Sequence, residues 1–203
     1  MNRIILGLLF ALAVAPASGP VTGKQVAQRT CGMTATSSPA VRGVRLAMSL
    51  EQVVALFPGV NKRKETRASL EPAKTAAASE TVYLAFEPAI DSTGDQFAGV
   101  STVAVGLRNG RVVDFSVQYV GPTWRTIDEW VEKLSETLKL PKAKRWAAGP
   151  NESPNRVLKC DGIEIEAAIQ GGGASIRIRD TEHQSDEEAL VKAEKKQRRE
   201  FKP

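Results

Sequence analysis

Glu164 and Glu166 stand two residues apart in a segment that alternates polar and apolar residues. Both carboxylates therefore leave one face of a strand, where such a pair could serve as general acid and base or share a metal ion. The flanking turns give a simpler account. Asp161-Gly162 fits a two-residue turn with Cys160 opposite Ile163. Gln170-Gly171-Gly172-Gly173 fits a four-residue loop that sets Ala167 opposite Ile176 and Ile165 opposite Ile178. These registers place Lys159 and Arg179 across from Glu164, and Arg177 across from Glu166. The pattern is a cross-strand ladder of opposite charges on a solvated face, each pair contributing about 0.2–1 kcal/mol.

The remaining candidates for chemistry are sparse. His183 is the one histidine, at the edge of a polar tail that offers no rigid scaffold for a Ser-His-Asp or Cys-His site. Two cysteines and one histidine cannot fill the four positions of a structural zinc site. Asp91-Ser92-Thr93-Gly94-Asp95 brings two carboxylates and two hydroxyls together, but it lacks the bidentate Glu of a Ca²⁺ loop and reads as a turn. Gly171-Gly172-Gly173 lacks the Lys-Ser/Thr ending and the following helix of a phosphate loop. The expectation is a chain with no catalytic set, no metal and no cofactor. The candidate interface is aromatic. Trp124 and Trp146 flank an amphipathic segment, Tyr119 precedes it, and Trp130 sits on its apolar side as a core residue. Large aromatic side chains are enriched at binding hot spots.

The chain has 203 residues, with 28 Lys and Arg against 23 Asp and Glu. That length and charge fit one domain or two small repeats and exclude a wholly disordered chain. Met1-Asn2-Arg3, the apolar run Ile4–Val14 and the small-x-small pattern Ala15-Pro16-Ala17 make residues 1–17 a secretory signal peptide. Its removal takes away Arg3 and lowers the net charge from +5 to +4. The expected location is periplasmic or extracellular, with no transmembrane span after signal removal. In that compartment Cys31 and Cys160 are expected to pair, the alternative being one buried thiol and one on a loose segment. Basic clusters at Lys62, Arg63, Lys64 and Arg67 and at Lys139, Lys142, Lys144 and Arg145 face the wrong compartment for nucleic acid. The expected partner is a protein of the envelope or secreted fraction, with a small molecule or an anionic envelope polymer as the alternative.

The elements that must carry these residues read as follows. Residues 18–40 form an extended lead-in, 41–180 a folded domain, and 181–203 a charged helical or disordered tail. Ser49-Leu50-Glu51-Gln52 is a capping box with Met48 and Val53 at the staple positions, and Pro58-Gly59 ends the helix. Residues 61–80 show no apolar period and read as a loop. Strands are expected at Thr81–Glu87, Ser101–Leu107 and Arg111–Val120. A three-residue loop, Arg108–Gly110, would pair Val105 with Val113 and Val103 with Phe115; a two-residue loop would set Val105 opposite Asp114 and break the apolar faces apart. Thr126-Ile127-Asp128-Glu129 is a second capping box, followed by an apolar stripe through Leu138 and the stop at Pro141. Strands follow at Arg156–Cys160, Gly162–Ile169 and Ala174–Asp180. Ser49/Thr126, Leu50/Ile127, Gln52/Glu129 and Val54/Val131 match at a constant offset of 77 residues. The fold class is α+β: two helix-plus-three-stranded antiparallel sheet units, about 41–120 and 121–180, arranged as a tandem repeat over one layered core.

The segment Val44-Arg45-Leu46-Ala47-Met48-Ser49-Leu50-Glu51-Gln52-Val53 resembles the opening of the small outer-membrane assembly lipoproteins of the BamE (SmpA/OmlA) type. Those carry Gly-Met-[Ser/Thr]-x-x-[Glu/Gln]-Val before a helix and a three-stranded sheet. The layout doubled in tandem is that of the β-lactamase-inhibitory proteins. The resemblance implies an envelope binding protein with the helix-plus-sheet fold. Ala47 stands at the family's Gly position, and no lipid-modified Cys follows the leader.

Overall fold

The structure, a computed structural model, describes residues 31–77, 80–121, 124–149, 154–170 and 173–183. The expected signal peptide, the lead-in before residue 31 and the tail from residue 184 lie outside the described residues. In chain order the elements are α1 (Leu50–Leu56), α2 (Lys64–Thr75), β1 (Val82–Phe86), α3 (Pro88–Asp91), β2 (Val100–Arg108), β3 (Arg111–Tyr119), α4 (Ile127–Thr137), β4 (Ala147–Ala148), β5 (Asn155–Lys159), β6 (Ile163–Gln170) and β7 (Gly173–Asp180). The α+β class is as expected, but two separate three-stranded units do not form. All seven strands make one antiparallel sheet in the order β1-β2-β3-β7-β6-β5-β4. The outer strands of two hairpins, β3 and β7, pair from Asp114↔Arg179 to Tyr119↔Ala174. Each would otherwise leave an unpaired edge, and merging them satisfies both rows of backbone groups at once.

Alternation sorts the sheet into two faces. Val103, Val105, Phe115, Val117, Ile165, Ala167, Ile176 and Ile178 are buried in one core. The α1, α2 and α4 side chains Val53, Leu70, Trp130, Val131 and Leu134 belong to the same cluster. Full burial of each such aliphatic or aromatic side chain stabilises the fold by about 1.5–3 kcal/mol. Asp114, Arg177, Arg179, Glu164 and Glu166 occupy the intervening positions and so face the other way.

Ser49 caps α1 as its sequence requires: its Oγ accepts from the Gln52 amide (3.3 Å) and Gln52 Oε1 accepts from the Ser49 amide (2.9 Å). Met48 and Val53 are both buried. Phe57 then stacks on Phe86 (4.4 Å between centroids, 8° between planes) and tilts against Phe97 (4.8 Å). Gly59 follows because no other residue fits, since a Cβ there would meet Ile90 O at 2.6 Å. The expected loop at 61–80 contains α2 instead. Leu70 and Ala73 are buried and one turn apart, enough to dock a helix whose other faces are solvated. Pro72 is tolerated inside it at the loss of one backbone donor.

The β2–β3 hairpin departs from its expected register. Its turn has two residues, Asn109 and Gly110, both left-handed (φ 52° and 68°), between paired Arg108 and Arg111. A bulge between Gly106/Asp114 and Leu107/Val112 then inserts Val113. The extra residue resets the alternation, so Val105 faces Phe115 and Val103 faces Val117. The apolar faces meet, by a different device from the three-residue loop. The β5–β6–β7 registers are those expected, including Lys159↔Glu164, Glu164↔Arg179 and Glu166↔Arg177. The last hairpin closes one step tighter than a four-residue loop, since Gln170 pairs with Gly173.

The described part of the expected lead-in, from Cys31 on, is docked on the domain. Cys31 and Cys160 form a disulfide with Cα atoms 4.5 Å apart. Backbone bonds flank it, Asp161 N to Cys31 O (3.1 Å) and Gly162 N to Met33 O (3.2 Å). The Asp161-Gly162 turn is therefore the dock for the beginning of the domain.

Candidate functional site

The C-terminal end of β3, α4 and two connecting turns enclose a cleft of about 590 Å³. That size lies in the ordinary range of ligand sites, about 300–1,000 Å³. One wall is aromatic. Tyr119 stands on the core-facing side of β3, in phase with Val117 and Phe115, and is half-buried where the sheet runs out. Its ring meets Trp130 of α4 edge-on at 5.3 Å, and Trp124 tilts against Trp130 at 5.2 Å. Trp130 is 5% exposed and is anchored by its Nε1–H, which donates to Ser175 O of β7 (2.9 Å). Trp130 is thus a core residue, as expected, and also the pivot between the two half-buried rings. Leu134 and Leu138 extend the wall one and two turns along α4.

The opposite lip is a two-residue turn. Val41 and Val44 exchange backbone hydrogen bonds (2.8 and 3.0 Å), leaving Arg42 and Gly43 at the tip with φ 55° and 88°. Left-handed backbone is costly for Arg and free for Gly, so the fold holds Arg42 in a conformation it would not choose. Its Nη1 and Nη2 donate to the carbonyls of Gln96 (3.2 Å) and Ala98 (3.1 Å), and Gln96 Nε2 donates back to Arg42 O (2.8 Å). The guanidinium carbon lies 5.8 Å from the Tyr119 ring centre. Burial raises the Tyr119 pKa above its ordinary value, and the Arg42 charge partly opposes that rise. Lys133 supplies a second cation at the rim. The cleft can hold an apolar or aromatic body between rings and leucines, with positive charge at its mouth.

The sequence-predicted interface residues divide. Tyr119 and Trp124 line the cleft. Trp146 does not: it is 6% exposed, and its Nε1–H donates to Pro141 O (3.1 Å) in the core. A residue placed just after a proline stop has no alternation to reveal its side, and the short turn Ala143–Arg145 swings it inward. Arg42, Lys133 and the turn at 41–44 were missed. Arg42-Gly43 between two valines is a weak turn signal, and nothing in it points to an aromatic wall more than seventy residues away.

The other candidates are structural. Arg177 grips Asp114 of β3 with Nε to both carboxylate oxygens (2.9 and 3.1 Å) and with Nη2. This pairing raises the Arg177 pKa. Arg179 Nη2 donates to Glu166 (3.2 Å), and its Nε lies 3.6 Å from Glu164, which also meets Lys159 at 3.8 Å. The expected ladder forms in part: Lys159 and Arg179 both meet Glu164, but Arg177, although it stands across from Glu166, turns to Asp114, and Glu166 pairs with Arg179 instead. The ladder lies on the sheet face opposite to Tyr119, so a sheet face and the Trp region are two surfaces. Asp91 is 1% exposed, accepting from the Glu87 amide (2.9 Å) and Arg63 (3.1 Å) as a buried tether for α3. His183 Nε2 sits 3.8 Å from Asp180, on the turn after β7. Among the described residues no group of three or more His, Cys, Asp or Glu is placed to hold a metal ion. Among them, too, no helix is long and apolar enough to cross a membrane.

The chain matches no protein-family model, no curated protein and no solved structure.

Proposed function

We propose that this chain is an exported, non-catalytic binding protein that takes an apolar or aromatic group of its target into the Tyr119–Trp124–Trp130 cleft. The single observation that carries the reading is the half-exposed state of Tyr119 and Trp124 against a fixed Trp130. Rings held in place by a hydrogen-bonded neighbour lose little entropy on binding, which is how aromatic hot spots gain affinity. The signal-like leader, the Cys31–Cys160 disulfide and the BamE-type resemblance of residues 44–53 support an envelope or secreted setting, and the target is a protein of that fraction. The cleft volume favours a second reading, a small-molecule carrier.

The test is photo-crosslinking in the native host. p-Benzoylphenylalanine replaces Thr137, an exposed residue on the cleft rim, or Ser116, on the opposite sheet face. The proposal expects one recurrent protein adduct from position 137 and none from 116. Equal labelling from both positions, or none from either, overturns the protein-target reading. Native mass spectrometry of the purified chain then reports whether a small molecule is retained, as the second reading requires.

A further inference from the structure

We infer that the group entering the cleft is aromatic and carries a carboxylate. This rests on the cleft being the recognition site and names what it recognises. The charge at the mouth is of one sign. Arg42 and Lys133 are the charged side chains among the residues that line it, and none of those residues is Asp or Glu. Arg42 is not neutralised: among the described residues its guanidinium meets two backbone carbonyls and the face of Tyr119, with no carboxylate at ion-pair distance. Two of its five N–H donors serve those carbonyls, which leaves donors for an incoming anion. Among the described residues the carboxylate within ion-pair distance of Lys133 is Glu136 at 4.0 Å, an exposed pair of the kind that contributes little. At a pH well below its ordinary pKa of 10.0 Tyr119 is a neutral phenol, and burial only raises that value, so the wall adds no negative charge.

Geometry adds the aromatic requirement. The rings of Tyr119 and Trp124 flank Trp130 in edge-on and tilted contacts, which leaves ring faces and edges open to a further planar group. Arg42 stands over the same Tyr119 ring, so a planar body against the wall brings its substituent to the guanidinium. The left-handed backbone of Arg42, pinned through Gln96, fixes that cation in position before anything binds. The same chemistry is offered by a free aromatic acid and by a protein ending in Phe, Tyr or Trp.

Isothermal titration calorimetry on the mature chain compares N-acetyl-L-phenylalanine, its uncharged amide, and a pentapeptide ending in Phe with a free carboxylate. The carboxylate is expected to bind about tenfold more tightly than the amide in low salt, with that preference shrinking at 0.5 M NaCl. Lys133→Gln is expected to reduce the preference about fivefold, the scale of one solvent-facing charge pair, and Lys133→Arg to restore it. Trp124→Ala should weaken acid and amide alike. Equal binding of acid and amide, with Trp124→Ala still weakening both, overturns the carboxylate and leaves the cleft reading standing. No binding of any of the three probes also overturns it, and the crosslink at position 137 then judges the cleft reading separately. Among supporting results, a tighter pentapeptide assigns the carboxylate to a protein C-terminus, and exclusion of the pentapeptide assigns it to a free acid.

Discussion

Breaking the Cys31–Cys160 bridge is the most quantitative perturbation the fold offers. The bridge joins residues 129 apart in sequence, so every described element from α1 to β5 lies inside the closed loop, with β6 and β7 outside it. Loop-closure entropy for that separation amounts to about 5 kcal/mol at 25 °C, removed from the unfolded state when the bond forms. Single domains are stable by about 5–15 kcal/mol, so the loss would take a large share of the total. At about 2–4 °C per kcal/mol for a chain of this size, Tm should fall by about 10–20 °C. The native contacts around the bridge remain available without it, since Cys31 O and Met33 O accept from Asp161 and Gly162 whether or not sulfur is bonded. The loss should therefore appear in stability and leave the folded structure intact. Thermal melts of Cys31→Ser, Cys160→Ser and the double variant, each with and without reductant, read this out. The three variants should melt within a few degrees of one another, and reductant should bring the parent chain down to join them. A double variant that loses the sum of two large single losses would mean that the sulfurs act independently. A parent chain unaffected by reductant under conditions that expose the bond would refute the reasoning altogether.

Other perturbations separate core from site. Trp146→Ala should cost about 3–5 kcal/mol, whereas Trp124→Ala should cost about 1–2 kcal/mol in chemical denaturation and act mainly on binding. Ala47 sits at φ 63°, held by its amide on Val112 O (2.8 Å). Ala47→Gly should relieve about 1–2 kcal/mol of left-handed strain against about 0.4–1 kcal/mol of added unfolded-state entropy, a net gain of about 0–1.6 kcal/mol visible as a small rise in Tm. The Tyr119 pKa in the fold lies above the ordinary value of 10.0. The folded state therefore keeps its proton longer than the unfolded chain, and stability should fall as pH rises from 10 through the folded pKa. Ultraviolet titration should show one tyrosine ionising late, and Arg42→Gln should push it later still, because Arg42 opposes the shift.

What was legible in the sequence follows from how local each signal is. The registers of β5, β6 and β7 were legible because two tight turns and the partners of Glu164 and Glu166 all pointed to one alignment. The β2–β3 register was not, because a bulge at Val113 looks like ordinary alternation until both strands are seen. The α1 cap was legible in full. In α4, Thr126 Oγ1 accepts from the Glu129 amide (3.2 Å), but Glu129 reaches back to the Arg125 amide (3.2 Å) instead of closing the box on Thr126. Helix α2 was hidden because Leu70 and Ala73 are too few to make a period. The joining of β3 to β7 depends on strands sixty residues apart, and local pattern carries no trace of which edges meet. Of the three rings of the aromatic site, Tyr119 and Trp124 were visible as interface residues and Trp130 as a core residue. The cationic lip was not, because a tertiary contact alone brings Arg42 to Tyr119.

The central claim is that the Tyr119–Trp124–Trp130 cleft is where this protein meets its target. The most direct measurement repeats the position-137 crosslink in the native host with Trp124→Ala added, scored against the same crosslink in the parent and against position 116. The account predicts an adduct at 137 that disappears with Trp124→Ala while the protein's level stays close to the parent's and its Tm falls by no more than the about 2–8 °C that a cost of about 1–2 kcal/mol implies. An adduct that persists undiminished without Trp124, or that forms equally from Ser116 on the far face of the sheet, would contradict it.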